Sequence, residues 1–445
     1  MQFLAKKNII PSFLISYMLF ISPLVMVGDS LQRLESYLIA ILAATIALLF
    51  LSYEFKRVYG INIVLITIFG FFFKLLAGFL FWQYYMWPDY FSNEFSYISF
   101  SHYEYLYTQT SLEKLANHRI EEGFFSLPPL DFALGQGKYI FINYIMSNLY
   151  LSGNINILDF SVQNSLFACY SASMTALVST LFGLTKKQVK IIFIIALFQP
   201  FSLITSTLSR DIFGQFFFLF GTYLFLSSLT KSPRKALIGI IFSSISMALL
   251  RSVYIAIPPF LFIVKQVKSG LFSVRKTLTI VFMLLLILIV LSRTSLISFL
   301  NTGYSSYLDV MSLKFIIAMP LDYVRAIIGP FPWINWFEFS DNTILFLSNY
   351  LQAVYVVTII YLTTRYYKTS DSDFKFFMVF IFFILLTMSL APGDIHNEYY
   401  SFAACLMLPI SAKYLSIKKF VLNYFMVFCS FILLNVIYIT VRLVI

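Results

Sequence analysis

The sequence is short of almost everything a soluble protein of its length displays. Of 445 residues only 11% are charged, against 60% hydrophobic and 19% aromatic. Mean hydropathy is +0.84. No soluble domain of this length is composed that way. Cysteine is scarce too. Cys169, Cys405 and Cys429 all fall inside apolar runs. They match no zinc or redox spacing and imply no disulfide framework. There are three histidines, none with a partner at ligand spacing, so no metal and no cofactor is expected. There is no Walker loop, hence no sign of an ATP-driven motor, and no His-Glu-x-x-His, hence no zincin site. No internal repeat is visible. Nor do two halves carry matching Gly or Pro breaks, which an inverted-repeat transporter tends to show.

The chain has, instead, long apolar runs and a lopsided charge distribution. Most of its 31 basic residues gather in seven clusters between those runs: Lys6/Lys7, Lys56/Arg57, Lys186/Lys187/Lys190, Lys231/Arg234/Lys235, Lys265/Lys268/Arg275/Lys276, Arg365/Lys368/Lys375 and Lys413/Lys418/Lys419. Of the acids, only Glu54, Asp371 and Asp373 lie with the clusters. The positive-inside rule reads this as a multi-pass membrane protein with its N-terminus in the cytoplasm. A net charge of +11 would suggest a nucleic-acid partner in a soluble protein. Here the charge sits at membrane boundaries beside lipid, so no nucleic acid is needed to explain it. The first run, Ile9 to Val27, is long for a signal peptide and lacks a small-x-small cleavage site, so it reads as a retained helix.

A span needs about 20 apolar residues. Candidates are 9–27, 37–53, 61–82, 160–183, 191–207, 212–229, 278–292, 343–363, 376–391, 399–415 and 420–441. Between Lys235 and Lys265 the chain goes in and returns, which predicts two short helices, 237–250 and 252–264, with Arg251 near the turn. The expected fold is all-α, a single membrane domain over 1–445 with about 11–14 transmembrane helices. Two large outer segments interrupt it. The first, 83–159, carries a short interfacial or re-entrant helix at 138–150. The second is 293–342.

The outer segments hold the residues with chemistry. Arg210–Asp211 sits in a tight turn between spans. Its guanidinium suits an anionic headgroup, since the planar fork makes bidentate bonds to phosphate; the competing reading is a boundary anchor. Arg251 is flanked by apolar residues on both sides, which makes it a functional candidate by default, against snorkelling to the interface. Arg325 precedes Gly329-Pro330-Phe331-Pro332-Trp333, where two prolines exclude regular helix. Trp333 and Trp336 offer stacking faces for a sugar, or form an aromatic belt. Asp394-Ile395-His396-Asn397-Glu398 is the one short outer turn that offers His, Asp and Glu together, the usual general bases. Asp89 and Glu94, beyond the third span, are a further acidic pair. Lys74 inside that span reads as a satisfied contact within the bundle.

Ser209-Arg210-Asp211 between two spans, Leu250-Arg251-Ser252 between two short helices and the Gly-Pro-Phe-Pro-Trp run together resemble the bacterial O-antigen (oligosaccharide repeat-unit) polymerases, the Wzy family. The likeness covers the whole chain as architecture. It implies a GT-C-like membrane glycosyltransferase acting on oligosaccharide repeat units linked to undecaprenyl pyrophosphate, on the periplasmic face of the bacterial inner (plasma) membrane. The growing chain would pass from its lipid pyrophosphate to a hydroxyl of a new unit. Arg210 (with Asp211), Arg251 and Arg325 would hold pyrophosphate, and His396, then Glu398, Asp394 or Asp89, would take the hydroxyl proton. The partners implied are a chain-length regulator and a flippase. The spaced arginine–glycine pattern of some members is missing here. Two other readings stay open. One is a polyprenyl-phosphate-sugar-dependent GT-C glycosyltransferase modifying O-antigen, which usually has an acidic pair in its first outer loop. The other is a lipid-linked oligosaccharide flippase or transporter, for which short loops on both faces are expected.

Overall fold

The computed structural model of the chain describes residues 9–27, 33–85, 114–123, 126, 129, 144–145, 147–152, 157–200, 211–229, 233–248, 257–259, 261–262, 343–366, 381, 397–411 and 415–444. Every regular element among the described residues is helical. They are α1 (Ile10–Val27), α2 (Arg33–Tyr59), α3 (Val64–Tyr85), α4 (114–122), a 3-10 helix (Ser147–Ser152), α5 (Ile157–Leu181), α6 (Lys186–Leu197), α7 (Asp211–Ser228), α8 (Pro233–Ala248), α9 (Thr343–Tyr366), α10 (Asn397–Ser411) and α11 (Ile417–Val444). The expected spans 9–27, 160–183, 212–229, 343–363 and 420–441 coincide with α1, α5, α7, α9 and α11 to within a few residues. The helix expected at 237–250 starts earlier, with Pro233 at its first position, where the missing N–H costs nothing. The span 278–292, most of 376–391 and most of both outer segments lie outside the described residues.

One expected span is corrected. The run 191–207 is not one helix. Helix α6 starts at Lys186, because Thr185 and Gln188 close a capping box: the Gln188 N–H donates to Thr185 Oγ1 at 3.4 Å, and the Thr185 N–H donates to Gln188 Oε1 at 2.9 Å. It stops at Leu197. Gln199 precedes Pro200, and the proline ring excludes the helical region for the residue before it. Twelve residues rise about 18 Å, well short of a bilayer core of about 30 Å.

Helix α5 is the hub. It packs against α2, α3, α6, α7 and α10, and every side chain from Ser161 to Ser179 is buried. Many of those are polar: Ser161, Gln163, Asn164, Ser165, Ser171, Ser173, Thr175 and Ser179. Several hydroxyls turn back on their own helix, as Ser179 Oγ does to the Thr175 carbonyl at 2.7 Å. The outer surface is the reverse. Helices α1, α2, α3, α8 and α11 expose Leu14, Leu42, Phe69, Phe242 and Phe425. Two helical stretches, Glu35–Tyr59 and Ile417–Val441, are long and apolar enough to cross a membrane, and the second buries only 17% of its apolar window. Ile10–Met26, Val64–Gly78, Ile212–Ser228 and Leu237–Met247 are apolar but shorter.

Two kinds of contact join the helices. Around α5 they are aromatic: Phe167 meets Phe213 at 4.4 Å between ring centroids and Phe216 edge-on at 5.5 Å, pairs worth about 0.5–1.5 kcal/mol beyond area. Between α7 and α8 they are small residues. A Cβ on Gly221 would lie 2.9 Å from the Ser243 carbonyl oxygen, and one on Gly239 would collide with Ser228. Such seams let helix backbones approach closely. The substitution Gly221→Val should therefore pry α7 from α8, at an overpacking cost of about 1–3 kcal/mol. A lowered thermal midpoint of the purified protein checks this; an unchanged midpoint would show that the seam yields.

Candidate functional site

The helix directions decide which residues share an end. Gly60 terminates α2 with φ 65°, its N–H donating to the Lys56 carbonyl at 2.9 Å. The Lys186 side chain lies against it, and Tyr59 hydrogen-bonds Thr180 and Tyr223. The ends of α2 and α5, the start of α6 and the second half of α7 therefore meet, bringing Lys56, Arg57, Lys186 and Lys187 to one end. Helices α5 and α7 run parallel, since Phe167 meets Phe213 and Tyr170 meets Phe216. Asp211, the first residue of α7, is thus at the opposite end. Helices α9 and α11 are antiparallel: the Tyr350 hydroxyl donates to the Phe428 carbonyl and the Tyr424 hydroxyl to the Leu351 carbonyl, each at 3.1 Å. Arg365 and Lys418/Lys419 consequently share an end, and α10 runs toward it. Glu398, second in α10, starts far from it.

Of the candidate residues, Asp211 and Glu398 fall at the starts of α7 and α10. Helices α7 and α10 are neighbours, with Gln215 Nε2 3.6 Å from Cys405 Sγ. Asp89, Arg210, Arg251, Arg325, Trp333, Asp394 and His396 lie outside the described residues. No cluster of three or more His, Cys, Asp or Glu gathers among the described residues.

A buried polar layer joins α3, α6, α7, α9 and α10. Lys74 on α3 is fully buried, and its Nζ donates to the Leu197 carbonyl at the end of α6. The Lys74 Nζ also sits 6.0 Å from the Phe198 ring centroid. The Tyr355 hydroxyl on α9 donates to the Ile195 carbonyl at 3.1 Å, and the Phe198 N–H to the Ile194 carbonyl at 3.1 Å. The last carbonyls of α6 are thereby matched by donors from two other helices, and the cation faces the negative end of the helix dipole. One residue further, Gln199 and Gln215 exchange amide hydrogen bonds at 2.8 and 3.3 Å, and the Cys405 thiol donates to Gln199 Oε1 at 3.5 Å. Gln199 and Gln215 flank the connection that carries Ser209-Arg210-Asp211. Their pairing ties its two roots together and to α10.

A second buried layer was not singled out from the sequence. Arg119 on α4 is 2% exposed. Its Nη1 donates to the Tyr144 carbonyl at 3.1 Å and to Ser147 Oγ at 2.9 Å, and its guanidinium carbon lies 4.1 Å from the Tyr144 ring centroid. Burial draws its pKa below the ordinary arginine value, while Tyr144 and then Tyr17 push it back up. Arg119 thus fixes the 3-10 helix, which packs on α1 and delivers Asn148 to the Tyr17 hydroxyl at 2.8 Å. The usable signal was spacing: Leu115 and Arg119, four apart on α4, share its buried face.

No family model matches the sequence, no curated protein matches it, and no solved structure matches the fold.

The amide pair makes a specific demand. Gln215→Leu takes a buried partner from Gln199 and should destabilise by about 1–3 kcal/mol, whereas replacing both amides by Leu should recover most of that loss. Thermal midpoints of the two single variants and the double variant check this. Simple additivity would dissolve the pair as a unit.

Proposed function

We propose that the protein is a polytopic membrane glycosyltransferase of the O-antigen polymerase type. The observation that carries the reading is the sorting of charge along an inside-out bundle. Lys56, Arg57, Lys186 and Lys187 collect at one end, α7 begins at the other, and apolar side chains face outward while polar ones line α5. In a membrane that arrangement gives a cytoplasmic basic face and an outer face at which α7 begins; Arg210–Asp211 and Asp394–Glu398 adjoin the starts of α7 and α10 in sequence, and those two helices are neighbours.

The chemistry follows from the substrate class. An acceptor hydroxyl oxygen bonds to the anomeric carbon of the growing chain, and the bond from that carbon to pyrophosphate breaks. The negative charge left on the pyrophosphate is the main thing to stabilise. Arg210, Arg251 and Arg325 are the forked cations for it. His396 takes the hydroxyl proton, with Glu398, Asp394 and Asp89 as the other carboxylate or imidazole candidates. No nucleotide enters this reaction. A flippase would deliver the repeat units, and a chain-length regulator would act on the product.

Disrupting the gene and running the extracted lipopolysaccharide on a gel tests the reading. A ladder that collapses to core plus a single repeat unit is the expected result. An intact ladder with altered sugar composition would point to a modifying glycosyltransferase, and loss of every repeat, the single one included, to a flippase. At residue level, Arg251→Lys keeps the charge and loses the fork. It should cut chain length at least tenfold with normal protein in the membrane, one hydrogen-bonded contact being worth about 1.4 kcal/mol or more. A full-length ladder from that variant removes Arg251 from the site.

A further inference from the structure

Helix α2 carries an exposed apolar stripe that ends in a lysine. Leu42, Ile46, Leu49 and Tyr53 are 62%, 47%, 43% and 59% exposed, and Lys56 is exposed as well. The steps between them are four, three, four and three residues, so all five lie along one face of the helix.

A second lysine reaches the same end from another helix. Gly60 follows Lys56 by four residues and closes α2 with φ 65°. The Lys186 ammonium, from the first turn of α6, fills the space that a side chain on Gly60 would need. Only glycine meets both demands, since it adopts that φ without strain and leaves the ammonium its place. Two ammonium groups from helices more than a hundred residues apart in sequence thus stand at the end of one apolar stripe.

No carboxylate neutralises them. Glu54, one turn of α2 from Gly60, is buried and bonded to Arg57 at 2.5 Å. Neither Lys56 nor Lys186 forms an ion pair among the described residues. An apolar face that ends in two uncompensated cations is complementary to a molecule with an apolar tail and an anionic head. A nucleic acid or an acidic peptide would match the lysines and leave the stripe unused. Length agrees with the tail: Leu42 to Tyr53 rise about 16 Å, one leaflet's share of a core about 30 Å thick.

We propose that this face of α2, with Lys56 and Lys186, is a binding site for an anionic phospholipid. One acyl chain lies along Leu42 to Tyr53, and the two ammonium groups hold the headgroup phosphate. The lipid rests on the membrane placement of α2, whose stretch Glu35–Tyr59 is long and apolar enough to cross a bilayer; it does not rest on glycan transfer.

The test uses the full chain purified in detergent, with phosphatidylglycerol or phosphatidylcholine of the same acyl chains added. Phosphatidylglycerol should raise the wild-type thermal midpoint by about 2 °C more than phosphatidylcholine does. Lys56→Gln combined with Lys186→Gln should remove most of that difference. Lys56→Gln alone, which leaves Lys186 over Gly60, should remove about half of it and serves if the double variant does not fold. Lys418→Gln combined with Lys419→Gln takes the same charge from the start of α11 and should keep the difference. Equal responses to the two lipids in the wild type overturn the site, as does a difference that survives in the Lys56 and Lys186 variants. A difference lost alike in both double variants reports diffuse attraction to net charge, and a rise of the same size with inorganic phosphate reports a free anion; either also overturns it. Alkaline carbonate extraction of cell membranes reads the membrane placement separately. A chain that stays in the membrane pellet and shows no lipid preference loses the site alone, whereas a chain released to the supernatant loses the membrane placement and the site with it.

Discussion

The C-terminal end of α6 lies inside the bundle, and its carbonyls have to find donors there. At the surface of a soluble protein, water would do this. Inside a bundle each unmatched carbonyl costs several kcal/mol (about 2–7). Lys74 and Tyr355 supply the protons, one from each of two helices far apart in sequence. That requirement fixes α3 and α9 in depth relative to α6, because a shift of either by one residue would pull its donor off a specific oxygen. The reciprocal Gln199–Gln215 amides extend the same constraint to α7, and Cys405 extends it to α10. This layer thereby ties α3, α6, α7, α9 and α10 to one another.

Much else about the packing follows from which side of the helices is polar. In water, burying Leu and Phe drives assembly. Here a belt of Leu, Ile and Phe on α1, α2, α3, α8 and α11 is left outside, and serines and amides are inside. In the proposed membrane setting, lipid tails would offer apolar side chains as much as a neighbouring helix does, and association would come from close approach and from hydrogen bonds. The aromatic knot of Phe13, Phe167, Tyr170 and Phe216 and the glycine–serine seam of α7 and α8 supply the first. The polar layers around Lys74 and Tyr17 supply the second.

The helices were legible because long apolar runs bounded by basic clusters are a strong signal, and α1, α5, α7, α9 and α11 sit where that signal put them. The break in α6 was less so. Hydropathy continues past Gln199–Pro200 into apolar residues, and only the local rule for a residue before proline marks the interruption. Lys74 was visible as an oddity, a cation inside a span, but its partner is a backbone carbonyl more than a hundred residues away, which no pattern encodes. Arg119 and Gln163 failed to stand out for a different reason. Arginine in a polar segment looks solvated, and a lone glutamine near a span's edge looks like a boundary. What gives both meaning is the folding of the first outer segment back onto α1. Among the candidate site residues, Asp211 and Glu398 head adjacent helices, which sequence spacing could suggest only through the charge rule.

The small-residue seam between α7 and α8 has a consequence for biogenesis. The two helices are joined by residues 229–232 alone and touch over most of their length, so their contacts are local in sequence and carry little loop-closure penalty. They can zip together as a hairpin as soon as both have been synthesised. The surface they then present to α5 is already assembled when α9, α10 and α11 are still being synthesised. The later helices thus dock against a preformed wall, and α10, whose start carries Glu398, is positioned by a partner that was finished well over a hundred residues earlier.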